Sequence, residues 1–118
     1  MIYIAGPITG VRNYKMRFRV AEAFLRQHTM DMILNPAEMI PEKMENKDAL
    51  PICLRMIDQC DVVYFLPGWE ESRGARIERA YCEYTDKRIE DLEFINLAGI
   101  ETKAMRFKPD DNRKEATA

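Results

Sequence analysis

The feature that most constrains the fold is a run of five apolar residues, 62–66 (V-V-Y-F-L), followed at once by Pro67-Gly68. A continuous run of β-forming residues is typical of a strand that is covered on both faces in a parallel sheet. The Pro-Gly pair ends this strand in a tight turn. Ser72 then predicts a helix start, because its hydroxyl can accept from the free N–H groups of a first helical turn. Residues 61–78 therefore predict a strand, a turn and a helix.

The start of this helix is a candidate anion site, and Gly74 keeps its first turn narrow. Glu78 follows Ser72 by six residues, so it lies in the second helical turn, within reach of a ligand bound at the helix start. The alternative is an exposed glutamate that pairs with a neighbouring arginine such as Arg79, as is usual for a lone glutamate on a helix. Both interpretations stay open from these residues alone.

Length and charge limit the functions that the chain can have. With 118 residues, 47% of them hydrophobic, it can form one domain, which we expect at residues 1–108, followed by a polar, disordered tail at 109–118. The net charge of −2 comes from 18 basic and 20 acidic residues that are well mixed, which argues against polynucleotide or anionic-membrane binding. The longest apolar run has the length of a strand and the chain begins M-I-Y-I-A-G, so we expect no signal peptide, no transmembrane span and a cytoplasmic protein.

The cysteines and the histidine give no support for a metal or cofactor. Cys53, Cys60 and Cys82 are odd in number and lack a C-x-x-C spacing, so we expect small buried side chains rather than a disulfide framework or a zinc site. His28 is the single histidine and falls near the end of a predicted helix. We therefore expect neither a metal site nor a histidine-based catalytic triad.

The first strand, Ile2–Ala5, leads directly into the loop G-P-I-T-G at residues 6–10. Two glycines around a proline form a tight loop in which backbone N–H groups can converge on a ligand, although a plain turn between strand and helix is an equally simple interpretation. Asn13 can cap the next helix, whose apolar residues recur at helical spacing: Tyr14, Phe18, Ala21 and Leu25. Arg12 lies close enough to the loop to help bind an anion. We assign the other cations of this helix start, Lys15, Arg17 and Arg19, to the solvated surface.

The remaining pattern alternates strands and helices. We expect a strand at residues 32–34, an irregular or partly helical flap at 37–48, and a helix with Pro51 near its start. The apolar side of that helix comprises Ile52, Cys53, Met56, Ile57 and Cys60. The helix after Ser72 has a predicted packing face at Ile77, Tyr81 and Tyr84, and two further strands are expected at residues 88–95 and 104–107.

This order predicts an α/β fold, an open and mostly parallel sheet of four to five strands with helices on both faces. Ligands bind to such sheets at the carboxyl ends of the strands. The loop at residues 6–10 and the turn at 67–72 both follow strands, so they should meet at one edge of the sheet. We take that meeting place as the predicted site.

Several common chemistries lack their sequence motifs. The chain has no Walker lysine motif, no complete dinucleotide fingerprint and no G-x-S-x-G elbow. What remains is a carboxylate, Glu78, a tyrosine on the first strand, Tyr3, and two turns that can hold an anion. A carboxylate beside a sugar can act as a nucleophile, or stabilise an oxocarbenium-like centre, when a glycosidic bond is cleaved. Tyr3 can orient that carboxylate through a hydrogen bond.

Three blocks carry a resemblance to known proteins: I-Y-I-A-G-P-I-T-G at the start, N-P-A-E at residues 35–38, and C-D-V-V-Y-F-L-P-G-W-E-E-S-R-G-A-R-I-E at 60–78. Together they resemble a phage- and bacteria-associated family of uncharacterised proteins that is similar to the nucleoside 2-deoxyribosyltransferases and the deoxynucleoside 5′-monophosphate N-glycosidases. The resemblance covers roughly residues 1–90, and it implies a Rossmann- or flavodoxin-like domain without a cofactor.

The resemblance also implies roles for individual residues. Glu78 matches the glutamate that attacks the anomeric carbon, and Tyr3 matches the tyrosine that contacts it. Ser72 stands at a position where the transferases have an aspartate that binds the sugar 5′-hydroxyl. The monophosphate glycosidases have a serine there, which binds the 5′-phosphate. Gly74 is assigned to the same 5′ end of the ligand. The loop that wraps the same end of the nucleotide is matched by Gly6, Pro7, Ile8 and Gly10. Trp69 can stack on a base or cover the edge of the core.

One position departs from the resemblance. Both enzyme groups have an aspartate, the expected general acid, eight residues before the aspartate that opens the third strand, and this chain has Cys53 there. A thiol on an apolar helix face is a poor proton donor at neutral pH. Asp58 lies about 140° further round the same helix, so it cannot simply substitute. Other carboxylates that can take the task are Glu70, Glu71 and Asp48.

We therefore expect an enzyme that acts on the N-glycosidic bond of a nucleoside or, by preference, of its 5′-monophosphate. The alternative is a nucleotide-binding protein of the same fold with lost or weak catalysis, which Cys53 favours. A third possibility is an interaction protein without a small ligand. The resemblance further implies a homo-oligomer, because the relatives borrow site residues from a neighbouring subunit.

Overall fold

A computed structural model describes residues 1–109, which form one open five-stranded sheet with helices on both faces. The strands are β1 (Ile2–Ala5), β2 (Ile33–Leu34), β3 (Val62–Phe65), β4 (Arg88–Leu97) and β5 (Ile100–Phe107). The helices are α1 (Tyr14–Arg26), α2 (Pro36–Met39), α3 (Asn46–Asp58) and α4 (Arg73–Tyr84), with a short 3₁₀ turn at Trp69–Glu71 before α4. The predicted α/β class is confirmed. The predicted tail lies, apart from Pro109, outside the described residues.

The strand order is β2-β1-β3-β4-β5. Strands β1 to β4 are parallel, and β5 returns antiparallel to β4. From β1 the chain first crosses to β2 on one side and then to β3 on the other, so the order reverses between β1 and β3. In open α/β sheets the ligand crevice lies at such a reversal, at the carboxyl ends of the two strands. This places the loops after β1 and β3 on either side of one crevice.

Residues of β1 alternate between two core layers. Ile2 and Ile4 pack on the α1 side of the sheet, whereas Tyr3 and Ala5 pack on the side of α3 and α4. The alternation follows from the two-residue period of a strand. It brings Tyr3 into the same layer as Cys53 of α3 and Cys82 of α4. All three cysteines are free and buried, as predicted.

Helix α3 differs from the predicted one at its start. It begins at Asn46, so Pro51 is its sixth residue and not an early one. Proline there leaves the Lys47 carbonyl without its helical donor, a cost that the exposed position of Pro51 reduces because water reaches this side of the helix. The predicted irregular segment 37–48 consequently has a helix at each end. Ile52, which we expected on the packed side, is exposed.

Helix α4 packs with a face that only partly matches the predicted one. Tyr81 packs against the core, as predicted, but Ile77 and Tyr84 are exposed, and the buried residues are Ala75, Glu78 and Cys82. Their spacings of three and four residues place them on one helical face. Two of these side chains are small, so α4 can lie close to the sheet while Ile77 and Tyr84 point away from it. The prediction was wrong at Ile77 and Tyr84 because it followed the largest side chains rather than the smallest.

Two local features also differ from expectation. Asn13 occupies the N-cap position of α1 but makes no side-chain capping bond, because its ψ of 34° is not the extended backbone that capping requires. Strands β4 and β5 are longer than predicted and form a hairpin through Ala98 and Gly99, whose φ angles of 52° and 78° fit a two-residue turn with positive φ at both positions.

No helix within residues 1–109 combines the length and the apolar character needed to cross a bilayer.

Candidate active site

A cleft of about 310 Å³ lies between the loop after β1 and the segment that joins β3 to α4. Its lining consists of Pro7, Thr9, Val11, Arg17, Pro67, Gly68, Glu71 and Ser72. The two loops therefore meet at the carboxyl ends of β1 and β3, as their positions after neighbouring parallel strands predict.

The backbone of the first loop requires glycine at positions 6 and 10. A Cβ atom at Gly6 would lie 2.9 Å from the Cβ of Leu66, so only glycine lets the two backbone segments approach this closely. Gly10 has a φ of +78°, which disfavours any other residue. Of the four loop residues that the sequence singled out, only Pro7 lines the cleft; Gly6 is buried against Leu66 and Ile8 packs against the core.

Ser72 links the cleft to helix α4. Its backbone is extended, and its Oγ accepts from the N–H of Ala75 at 3.2 Å, which confirms the predicted N-cap. The hydroxyl proton is not used in that bond, so Ser72 can still donate to an anion in the cleft. Gly74 is exposed and does not line the cleft.

Tyr3 and Glu78 are joined by a buried hydrogen bond. The Tyr3 hydroxyl donates to Oε2 of Glu78 at 2.5 Å, and the two residues are 0% and 6% exposed. Burial raises the pKa of Glu78 from 4.5 to about 7, while the bond from Tyr3 acts in the opposite direction because it stabilises the carboxylate. Near neutral pH the carboxyl group therefore titrates, which suits a group that must change its charge during a reaction.

The alternative of an exposed glutamate paired with Arg79 is wrong. The Arg79 guanidinium instead binds Asp91 with two bonds, of 2.6 and 3.2 Å. Glu78 points from the same helix into the layer between α4 and the sheet.

Cys53 completes a cluster with these two residues. It lies in the same buried layer of the core as Tyr3, whose hydroxyl proton is directed to Glu78. Burial raises the pKa of Cys53; the neighbouring Tyr3 hydroxyl lowers it, and Glu78 raises it further. The pKa of Tyr3 lies well above its usual value, first because of burial and then because of the nearby Glu78. We call these three side chains the Tyr3–Glu78–Cys53 cluster.

Within residues 1–109 no second carboxylate perturbs Glu78, whose pKa responds only to burial and to Tyr3. Asp58 is held elsewhere, with Oδ1 accepting from the Tyr81 hydroxyl at 2.5 Å and Oδ2 from Arg55 at 2.8 Å. These partners lower its pKa, the Tyr81 bond contributing most. The other carboxylates that the sequence offered as proton donors, Asp48, Glu70 and Glu71, are all exposed.

The cluster and the cleft lie along one helix. Ser72 caps α4 at the cleft, and Glu78 lies six residues later, about 9 Å along the helix axis. Side chains of a helix tilt toward its N-terminus, which brings the carboxylate back toward the cleft. Neither Tyr3 nor Glu78 lines the cleft itself. The arrangement thus offers an open anion-binding end and a buried carboxylate further along α4.

Trp69 covers the edge of the core. Its ring lies edge-on to Phe65 at 5.8 Å between centroids, and the Arg79 guanidinium lies 4.2 Å above the indole. Arg79 also lies over the Phe65 ring. Because the guanidinium occupies a face of the indole, the structure favours the covering role for Trp69 over stacking on a base.

A comparison with protein families gives one match. The family described as Domain of unknown function (DUF4406) matches residues 1–91. The chain belongs to this family. Searches among curated proteins and among solved structures each gave no match. The DUF4406 region ends inside β4, so it contains the Tyr3–Glu78–Cys53 cluster and every residue that lines the cleft.

Arg17 is a residue of the DUF4406 region that the sequence interpretation missed. It lines the cleft, donates from Nη2 to the Pro67 carbonyl at 3.3 Å, and pairs through Nη1 with Glu101 at 2.9 Å. Its side chain is 18% exposed and lies over the Phe94 ring, whereas Arg12, which the sequence favoured, is exposed and does not line the cleft. The available signal was its position three residues after Tyr14, on the flank of the apolar stripe of α1.

A metal centre finds no support in the described part of this DUF4406 chain. Within residues 1–109 no three side chains of His, Cys, Asp or Glu lie close enough to hold a metal ion. The polar groups that the described residues bring to the site are the Glu78 carboxyl, the Tyr3 phenol, the Cys53 thiol and the Ser72 hydroxyl.

Proposed function

We propose that the protein cleaves the N-glycosidic bond of a deoxynucleoside 5′-monophosphate, or transfers its sugar, with Glu78 as the nucleophile. The observation that carries the proposal is the buried 2.5 Å bond between Tyr3 and Glu78, on the helix whose N-cap, Ser72, lines the cleft. Tyr3 holds Oε2, so Oε1 is the oxygen that attacks. The resemblance to the deoxyribosyltransferases and monophosphate N-glycosidases supports the same residues in the same roles.

The cleft supports a monophosphate rather than a free nucleoside. Ser72 supplies a hydroxyl donor without a negative charge, and the N-terminus of a helix favours an anion. The Arg17 guanidinium also lines the cleft, and its pair with Glu101 at 2.9 Å offsets part of its positive charge. Glu71 opposes this as an exposed carboxylate on the rim, where solvent screens it.

The proposed reaction has two steps. Glu78 Oε1 attacks the anomeric carbon C1′ and a glycosyl ester forms, while the bond from C1′ to the base breaks, its electron pair stays on the base, and the base takes up a proton. Water, or a second base in a transfer reaction, then attacks C1′ and returns the electron pair of the ester bond to Glu78. Tyr3 orients the carboxylate and favours its ionised, nucleophilic form.

We also propose a cytoplasmic homo-oligomer. Its support is the resemblance, together with exposed apolar side chains on the outer faces of α3 and α4, namely Ile52, Ile77 and Tyr84. Sedimentation velocity tests this state. A sedimentation coefficient of a monomer over the whole measurable concentration range would contradict it.

A panel of deoxynucleosides and their 5′-monophosphates tests the catalytic proposal. The protein is incubated with each compound and free base is measured by chromatography. We expect release from monophosphates that Glu78→Gln abolishes and that Glu83→Gln, an exposed glutamate of the same helix, leaves unchanged. Release that survives Glu78→Gln would show that Glu78 is not the nucleophile.

The second candidate is a nucleotide-binding protein with lost or weak catalysis. Cys53 in the place of an acidic residue and the low exposure of Glu78 favour it. In that case monophosphates raise the melting temperature but release no base. If no nucleotide raises the melting temperature, an interaction protein without a small ligand is favoured instead.

A further inference from the structure

The Tyr3–Glu78–Cys53 cluster contains a nucleophile but no group suited to protonating a departing base. The Tyr3 proton is directed to Glu78 Oε2, and Cys53 adds a buried thiol in the same core layer. Of the two acidic residues of helix α3, Asp58 is held by Tyr81 and Arg55, and Asp48 is exposed. Glu71 lies in the cleft that we assign to the 5′-phosphate. Glu78 itself becomes the ester in the first step, so it cannot deliver the proton.

The missing donor matters because of how a base leaves. When the bond from C1′ to a neutral base breaks, the electron pair stays on the base, which departs as an anion unless a proton reaches it. A positioned general acid typically contributes 10²- to 10⁴-fold to such a step. A base that already carries a positive charge departs as a neutral molecule and needs no proton.

We propose that the preferred substrates of this site are deoxynucleoside 5′-monophosphates whose base is already cationic, of which N7-alkylated purines are the simplest class. This inference rests on the proposed function, since it assumes attack by Glu78 and recognition of the 5′-phosphate in the cleft. Cys53 is a buried, neutral thiol that supplies no acid for the departing base.

The step balances without an acid. Glu78 Oε1 bonds to C1′ as the bond from C1′ to N9 breaks, and its electron pair neutralises the imidazolium ring of the leaving 7-alkylpurine. Water then attacks C1′, the electron pair of the ester bond returns to Glu78, and one proton of that water passes to solvent. The products are the neutral 7-alkylpurine, 2-deoxyribose 5-phosphate and one proton.

A comparison of 7-methyl-dGMP with dGMP tests the inference. For each compound the catalysed rate is the rate with the wild-type protein minus the rate with Glu78→Gln, which removes the spontaneous loss of the methylated base. We expect the wild-type protein to favour 7-methyl-dGMP by at least about 100-fold. Comparable catalysed rates for the two compounds would overturn the inference and leave the proposed function intact, whereas no catalysed release from either would overturn both.

Two variants of Cys53 sharpen the test. Cys53→Asp restores a carboxyl beside Tyr3 and should accelerate dGMP cleavage on the order of 10²-fold while changing 7-methyl-dGMP cleavage little. Cys53→Ser, which adds no acid, should keep the wild-type preference. A Cys53→Asp protein that folds and gains nothing with dGMP contradicts the inference.

The wild-type protein also gives a test that does not depend on folding of a variant. Without an internal acid, dGMP cleavage depends on protonation of the base by solvent, so the ratio of the 7-methyl-dGMP rate to the dGMP rate should rise about tenfold per pH unit from about pH 5 to about pH 6, below the pH at which the methylated guanine loses its own N1 proton. Ionisation of Glu78 affects both substrates and cancels in the ratio. A ratio that does not change with pH would reveal an internal acid and overturn the inference.

Discussion

The Tyr3 hydroxyl and the Glu78 carboxylate, 75 positions apart in the chain, form a hydrogen bond of 2.5 Å inside the protein. Strand β1 supplies one partner and helix α4 the other, so the pair exists only when the sheet and its covering helix are assembled. A carboxylate with one identified donor and little solvent is costly to ionise. The pair therefore connects folding stability with the chemistry of the site.

The first prediction concerns the pH dependence of stability. The pKa of Glu78 rises from 4.5 to about 7 on folding, so between these pH values the folded protein binds more protons than the unfolded chain. The contribution of Glu78 to the free energy of unfolding is fully present below about pH 4.5. It falls as the pH rises to about 7, by an amount on the order of 3 kcal/mol. Glu78→Gln should remove this fall. Urea unfolding at a series of pH values, followed by the fluorescence of Trp69, measures the difference between the two proteins, and a difference that is constant from pH 4 to 8 would refute the shift.

The second prediction separates the contribution of Tyr3. Its hydrogen bond lowers the pKa of Glu78 against the effect of burial, so Tyr3→Phe should move that pKa above its present value of about 7. The loss of a donor to a buried carboxylate should also destabilise the protein by roughly 1–3 kcal/mol above neutral pH. NMR titration of the Glu78 side-chain carbon measures the first effect. Tyr84→Phe, at an exposed tyrosine of α4, is the control, and a midpoint that stays in place after Tyr3→Phe would contradict the assignment.

The third prediction compares two glycines. Gly6→Ala places a Cβ atom 2.9 Å from the Cβ of Leu66, so we expect a loss of roughly 1–3 kcal/mol from overpacking between β1 and β3. Gly74→Ala meets no atom within 4 Å and removes backbone freedom from the first turn of α4, so it should stabilise the protein by up to about 1 kcal/mol. Thermal unfolding of the two variants shows opposite signs if the close contact is the reason for Gly6. Equal changes in stability would mean that the close contact with Leu66 is not the reason for glycine at position 6.

The fourth prediction concerns Arg79, which binds Asp91 with two hydrogen bonds and lies over the Trp69 ring. Arg79→Met keeps much of the side-chain volume but leaves Asp91 unpaired, and should destabilise the protein by roughly 1–3 kcal/mol. Arg76→Met, at an exposed arginine of the same helix, should stay within about 0.5 kcal/mol of the wild type. The emission of Trp69 should shift only in the first variant. A similar loss of stability in both variants would point to helix propensity rather than to the contacts of Arg79 with Asp91 and Trp69.

Local patterns predicted the fold well where one residue type has one strong preference. The apolar run before Pro67 became β3, Ser72 became the cap of α4, and the loops after two parallel strands met in a cleft. These outcomes depend on backbone preferences that a short window contains. The hairpin of β4 and β5 was only partly predicted, because its turn uses Ala98 with a positive φ, which is uncommon for that residue.

The environment of Glu78 could not be predicted from its neighbours in sequence. The surrounding segment R-G-A-R-I-E-R-A is rich in charge and gives no sign that one carboxylate faces the core. Burial depends on how close α4 lies to the sheet, which small residues such as Ala75 and Cys82 permit. The sequence offered a hydrogen bond from Tyr3 to Glu78 only as a possibility, and the resemblance to known enzymes supported the same pair. Arg17 was missed for a related reason, since its partners Pro67 and Glu101 are far away in sequence.

The last prediction tests the assignment of the 5′ end of the ligand to Ser72. Ser72→Asp keeps an N-cap acceptor for Ala75, so stability should change little, whereas Ser72→Ala should lose about 1 kcal/mol. In the cleft the new carboxylate repels a phosphate but can accept from a sugar hydroxyl. Ser72→Asp should therefore weaken the binding of a deoxynucleoside 5′-monophosphate by at least about tenfold and leave or improve the binding of the deoxynucleoside. Isothermal titration calorimetry with Glu78→Gln in the background avoids turnover during the measurement. Equal weakening of both ligands would indicate a steric effect of the larger side chain, since such an effect does not distinguish a phosphate from a hydroxyl. The 5′ end would then lie elsewhere.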